Sequence, residues 1–366
     1  MDPATKNAEQ ASALRGHART AMRQSWSVFH PVPALYPVPA LAFMLAGSLA
    51  LGQPGPALLM AAGAFSSGFG AFQRLTRFRI APMLLAALCM AIFTGLGTAV
   101  SSSPGVAAVV AGVAAFGLGL AASFGTGPWW VLLQGAIFLL VAASRPGDAQ
   151  EAISRALLVL AGGATQGLVV SALRAIAPRG FPPLSSPTAA PPPDGRAEWI
   201  AQARHVLTPG SPEMRYALLL GLATTAAELI AQRLSLPNGY WMALTVLLVL
   251  RRGGAETVIR GVQRILGTLA GASLATLVAA LLRPDPAMLV ALITLSAWCA
   301  YAMQWVNYGT FSISVTSYIA FLFSLEGLPE AVIAEHRVVA TLLGGLLGVA
   351  ALAFSRLGGR VARLSV

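Results

Sequence analysis

Long apolar runs separated by short polar or basic joints make up most of this chain. In the first half they cover Pro33–Leu51, Gly55–Phe72, Ile80–Val100, Val106–Phe124, Trp129–Ala143 and Ile153–Ile176. In the second half they cover Tyr216–Ala231, Leu236–Leu250, Gln263–Leu282, Ala287–Met303, Gly309–Leu325 and His336–Phe354. A helix that crosses a bilayer needs about 20 predominantly apolar residues. The runs therefore predict spanning helices, and the shorter, Gly-rich ones fit tilted or interrupted spans. Six runs in each half predict about twelve transmembrane helices in an all-α polytopic membrane protein.

The polar segments set the boundaries. Residues 1–32 carry Lys6, Arg15, Arg19 and Arg23 and read as a cytoplasmic tail, with an interfacial helix around Ala11–Trp26. A basic tail before an apolar run resembles a signal peptide, but the tail is long and shows no cleavage pattern, so the first run reads as a retained anchor. Residues 177–212 hold Phe181-Pro182-Pro183 and Pro191-Pro192-Pro193, the composition of a loop, and read as a cytoplasmic linker with a short surface helix at Ala197–Leu207. The expected divisions are a tail at 1–32, a six-span repeat at 33–176, the Pro-rich linker at 177–212, a second six-span repeat at 213–357 and a cytoplasmic tail at 358–366.

A repeated frame supports the division into halves. Arg264, Thr268 and Gly271 fall near one helical face, and the same frame returns as Arg337, Thr341 and Gly344. Weaker copies occur earlier as Arg155, Val159, Gly162 and as Arg79, Met83, Ala86. Arg79 and Arg264 are 185 residues apart, Arg155 and Arg337 182, and Pro54 and Pro237 183. A nearly constant offset is how an internal duplication reads.

Composition confirms the class and charge sets an orientation. Hydrophobic residues are 56% of the chain and charged residues 10%, which excludes an ordinary soluble domain. The formal net charge of +11 comes from basic residues scattered at the ends of apolar runs, not a basic face of the kind that binds nucleic acid. With both termini cytoplasmic, 19 of the 24 Lys and Arg fall on the inner side, and only Arg145, Arg155, Arg233, Arg283 and Arg337 fall outside. Two six-span halves then enter the membrane in the same direction, related by a pseudo-two-fold axis normal to it. Cys89 and Cys299 each lie within an apolar run and suggest neither a disulfide nor a metal site.

Few residues could carry chemistry. Arg264 and Arg337, with Arg79 and Arg155 as their first-half counterparts, could guard the mouths of an axial anion path, since guanidinium stays charged and binds carboxylates in a bidentate fashion. The alternative for a lone Arg is snorkelling to headgroups. Glu228 in the seventh run could carry a proton for coupled transport, or could pair with Arg233 at the interface. Asn307 and Tyr308 precede a run rich in hydroxyls, Thr310, Ser312, Ser314, Thr316, Ser317 and Tyr318, which could line a wet cavity or serve as helix–helix glue. Trp129, Trp130, Tyr240, Trp241 and Trp305 fit an aromatic belt or a platform for an aromatic substrate. His17, His30, His205 and His336 form no triad or metal spacing, and no phosphate loop is present, so neither an enzyme, a cofactor nor ATP-driven transport is indicated.

The stretch Pro237-Asn238-Gly239-Tyr240-Trp241-Met242-Ala243-Leu244-Thr245, the Arg251–Arg260 loop, Arg264–Gly271, Asn307-Tyr308 and the terminal Arg337, Thr341, Gly344 resemble the aromatic acid exporter superfamily of fusaric acid resistance type. The resemblance covers residues 213–357 well and the first half as a decayed repeat; it extends distantly to plant aluminium-activated malate transporters. It implies proton-driven export of small aromatic or other organic anions across a bacterial inner membrane. Carried over residue by residue, it points to Arg264, Thr268 and Arg337 for the path and to Trp241, Thr245, Asn307 and Tyr308 for substrate contact. The implied partners are a small organic anion and the lipid bilayer. Some such exporters use a periplasmic adaptor, although the middle here is only a short linker, and self-association is left open. The competing readings are a passive organic-anion channel and a non-transporting scaffold that binds anionic lipid.

Overall fold

The computed structural model describes residues 26–52, 54–73, 75, 78–177, 195–328 and 330–364. Among these the regular structure is helical. The first half holds α1 (Val38–Leu51), α2 (Pro54–Gly68), α3 (Ala81–Val100), α4 (Pro104–Ala121), α5 (Thr126–Ala143) and α6 (Ala149–Ile176). After α7 (Arg196–Leu207) come α8 (Pro212–Arg233), α9 (Tyr240–Val249), α10 (Gly254–Leu282), α11 (Pro286–Met303), α12 (Tyr308–Leu325) and α13 (Glu330–Leu364). The expected helix around Ala11–Trp26 falls almost wholly outside the described residues.

Local chemistry fixes the ends of these helices. Proline opens α4, α8 and α11 at the position where its missing N–H costs nothing. Asp148, Ser211 and Asp285 each accept a hydrogen bond from a first-turn backbone N–H, of Glu151, Met214 and Met288 respectively. Gly52 stops α1 in the left-handed conformation, φ 64°.

Among the described residues eleven helices are long and apolar enough to cross a membrane, six before the linker and five after it. In the expected twelfth, Leu236–Leu250, only the ten residues of α9 are helical, and its end lies beside the start of α8, where Tyr216 donates to the Leu250 carbonyl. At 1.5 Å per residue the helix is about 15 Å long, half the hydrocarbon thickness. Left-handed Ser235 and Asn238, φ 48° and 53°, form the turn before it, and Leu250 is extended after it. All of α9 except Leu248 is buried, so its short backbone is surrounded by protein, the condition under which broken helices are tolerated at membrane depth.

The two halves pack alike. In the first, α3 lies against α5 and α6, and α2 against α6; in the second, α10 lies against α12 and α13, and α9 against α13. Between halves α4 runs along α8, while α11 meets α1. In lipid, helices gain little from hiding apolar surface from one another, so close approach of small residues has to supply the attraction. Gly112 and Gly119 sit against Thr225 and Ala217, and Gly221 against the Gly112 carbonyl, so α4 and α8 touch through their backbones.

Two buried clusters each draw on both halves. One joins Leu41, Phe65, Met83 and Val159 to Ile293, Tyr301 and Phe321; the other joins Leu118 and Leu139 to Leu220, Leu247 and Ala340. Tyr301 ties the first together, donating its hydroxyl to the Phe65 carbonyl at 2.8 Å. Phe43, Ile92, Val113, Leu222 and Leu281 are exposed on the outside, as lipid-facing side chains should be. The linker helix α7 is held at one end of the bundle by Trp199 stacked on Phe124 and by Gln202 donating to the Ser123 carbonyl.

Candidate functional site

Glycine spacing on α10 and α13 determines where their arginines point. A Cβ on Gly267 would stand 2.7 Å from the Gly309 carbonyl oxygen, and one on Gly271 2.6 Å from that of Ile313, so α12 lies directly on that face of α10. One and two turns earlier on the same face come Thr268 and Arg264. On α13, Gly344 abuts the Met242 carbonyl and lies close to Thr245, which brings α9 onto the face that carries Thr341 and Arg337. Four helices, α9, α10, α12 and α13, thus enclose two arginines.

Both arginines are buried, Arg264 at 3% exposure and Arg337 at 2%. Arg264 donates from Nη1 to Ser312 Oγ at 3.3 Å, and its Nε has no partner. The Arg337 guanidinium lies over the Trp241 ring, 5.2 Å from its centroid, and its Nε and Nη1 have no partner. Among the described residues no carboxylate forms an ion pair with either arginine. The hydroxyls of Thr268, Tyr308, Thr316 and Thr341 are also buried without hydrogen-bond partners.

This arrangement is electrostatically incomplete. A buried charge left without its counter-charge costs on the order of 3–5 kcal/mol, and each unmet hydroxyl adds to that cost. The two guanidinium groups are thus buried on α10 and α13 with unmet donors and no paired acid among the described residues. Cation–π contact with Trp241 offsets part of the burial cost of Arg337 and fixes its plane.

The other residues expected to take part divide by location. Thr245 donates to its own helix at the Trp241 carbonyl, 2.8 Å, and faces Gly344, so it serves the α9–α13 contact. Asn307 caps α12 through the Gly309 N–H at 2.7 Å. Arg155 is turned to the Arg145 and Pro146 carbonyls and to Glu151, which lies 3.0 Å away. Arg79 is exposed at the start of α3. Neither first-half arginine joins the buried pair.

Glu228 on α8 has a buried Oε1 without a partner. Arg233 is exposed, and no ion pair joins the two among the described residues. Ser314 and Ser324 donate to carbonyls of their own helix, and Ser317 to the Gly271 carbonyl, so these hydroxyls act as helix–helix or intrahelical links. Thr310 likewise donates to the Asn307 carbonyl, so the hydroxyls left from the expected wet face are Ser312, Thr316 and Tyr318.

One participant is missing from the sequence reading. Arg260, one turn before Arg264, places its guanidinium over the Tyr308 ring at 4.9 Å. The spacing that linked Arg264 to Thr268 reaches Arg260 when run backwards, and that signal was present in the sequence.

Comparison with known proteins agrees with this focus on the second half. Residues 223–351 match the family model described as fusaric acid resistance protein-like. Similar proteins include the uncharacterized protein YhfK of Escherichia coli, 29% identical over 137 residues, 37% of this chain and 19% of that protein. The uncharacterized protein slr1298 of Synechocystis is 30% identical over 149 residues, 40% of this chain and 19% of its own length. The inner membrane protein YccS of Escherichia coli is 30% identical over 156 residues, 43% of this chain and 21% of that protein. The matched stretch is thus about a fifth of each of these relatives. No solved structure matches the chain.

Proposed function

We propose that this fusaric acid resistance-like membrane protein is a secondary transporter that moves small organic anions, aromatic carboxylates among them, out across the bacterial inner membrane. The observation that carries the reading is that Arg264 and Arg337 are both buried, on the packed helices α10 and α13, with no acid paired to either among the described residues. A carboxylate would supply the missing charge, and Trp241 beside Arg337 would favour a flat, aromatic body.

The same reading includes two parallel repeats. The matched packing of α3, α5 and α6 with α10, α12 and α13 supports it, as do α4 and α11, both 18 residues long and opening on Pro104 and Pro286. The half-length α9 beside the arginines is the kind of broken helix that transporters place at a substrate site. Glu228, buried on α8 with an unpartnered oxygen, is the group available to couple a proton.

The test is flux of labelled benzoate in proteoliposomes with and without a proton gradient, comparing wild type with Arg337→Gln and Arg264→Gln. Saturable, gradient-dependent flux lost in both variants supports the transporter. Gradient-independent current would replace it with a channel. Absence of both flux and benzoate binding would leave the lipid-binding scaffold.

A further inference from the structure

Outside the buried pair, a second group of cations gathers where α9 ends and α10 begins. Arg251 and Arg260 converge on one oxygen of Glu256: its Oε1 lies 3.7 Å from Arg251 Nε and 3.4 Å from Arg260 Nε. The arginine side chains are largely covered, 11% and 30% exposed, whereas Glu256 is 55% exposed. Arg251 is fixed from behind, donating to the Leu247 and Leu250 carbonyls and lying 5.0 Å from the Trp129 ring centroid. Arg260 is fixed by the ring of Tyr308, whose buried hydroxyl has no partner.

The arginines are therefore held by protein, while the carboxylate between them is the exposed member. Its separations exceed the 2.7–2.9 Å typical of a charge-assisted hydrogen bond, and a solvated pair of this kind is weak. An incoming carboxylate could take its place at little cost. Arg260 lies one turn before the buried Arg264 on the same helix, and Tyr308 opens α12, the helix that Arg264 reaches through Ser312.

We infer that Arg251, Arg260 and Tyr308 form an entrance site for the carboxylate of an organic anion, and that Glu256 is its built-in competitor. This rests on the transporter reading above and adds a second, shallower station to it, at the end of the bundle that the distribution of basic residues assigns to the cytoplasm. Glu256 would set how much anion is needed to load the path, swinging out as substrate enters and returning behind it. An ordinary i,i+4 ion pair on a helix surface predicts no such effect.

The experiment measures labelled benzoate in two ways, equilibrium binding to the purified full chain and flux in proteoliposomes. Glu256→Gln should lower KM for benzoate by about threefold or more, the scale of losing a weak ion-pair competitor, with kcat unchanged. Arg260→Gln should raise KM, and the double variant should resemble Arg260→Gln alone. In the Arg264→Gln/Arg337→Gln background flux should vanish, while a weak binding component persists, strengthened by Glu256→Gln and removed by Arg260→Gln. If flux depends on Arg264 and Arg337 but Glu256→Gln alters neither KM nor binding, the entrance site is overturned and the transporter reading stands. If wild type neither binds nor moves benzoate, both are overturned.

Discussion

Gly344 of α13 lies directly against the backbone carbonyl of Met242 in α9, and 182 residues earlier Gly162 of α6 lies in the same way against that of Met60 in α2. Any side chain at either glycine would enter the neighbouring backbone, which cannot move aside as a flexible side chain could. Gly344→Ala should therefore destabilise by about 1–3 kcal/mol, and Gly162→Ala by a similar amount. Gly117, with nothing near its Cβ position, is the control, and Gly117→Ala should be neutral or stabilising by up to about 1 kcal/mol. Thermal unfolding of the purified variants in detergent would separate the two classes.

The buried arginines and their first-half counterparts should differ in function. Arg264→Gln or Arg337→Gln should reduce benzoate flux by at least about tenfold, a loss of ~1.4 kcal/mol or more in anion stabilisation. Arg337→Lys should not restore it, because an ammonium lacks the planar fork and the stacking surface that Trp241 holds. Arg155→Gln should retain flux, since Arg155 is occupied by Glu151 and two carbonyls. Equal loss in Arg155→Gln and Arg337→Gln would return the first-half arginine to the path.

That contrast marks how far the sequence could be read. The apolar helices were legible because run length is a local property, and the Arg–Thr–Gly spacing marked the two arginines that are buried. The length of α9 was legible only in part: Leu236–Leu250 reads as one apolar run by hydropathy, yet it begins with the turn signal Pro237-Asn238-Gly239, and left-handed Ser235 and Asn238 hold that turn before Tyr240. The fate of Arg79 and Arg155 was not legible. The glycine contacts set the repeat at 182 residues, which places Pro82 rather than Arg79 opposite Arg264. An offset of 185 matched the residue type while missing the backbone register by almost one helical turn.

Trp241 offers a test of the platform itself. It is 3% exposed and lies beneath Arg337, with Phe323 edge-on at 6.0 Å. Trp241→Phe keeps a ring but weakens the cation–π contact, so flux should fall modestly and the fold should hold. Trp241→Ala removes the ring and opens a cavity, costing about 3–5 kcal/mol in stability besides the lost activity. Benzoate KM in the Phe variant is the informative readout, because a purely structural Trp would change Tm and leave KM alone.

Glu228 provides the last test, because coupling and binding can be separated there. It lies on α8, a different helix from either arginine, with no basic partner among the described ion pairs and one oxygen cut off from hydrogen bonding. A carboxyl in that position can exist with or without its proton, whereas a glutamine of nearly the same shape cannot. Glu228→Gln should leave equilibrium binding of benzoate unchanged and abolish the acceleration produced by a proton gradient, while gradient-free exchange of labelled for unlabelled benzoate continues. Exchange lost together with gradient-driven flux would make Glu228 part of the anion path, and gradient-driven flux that survives the substitution would remove it from coupling altogether.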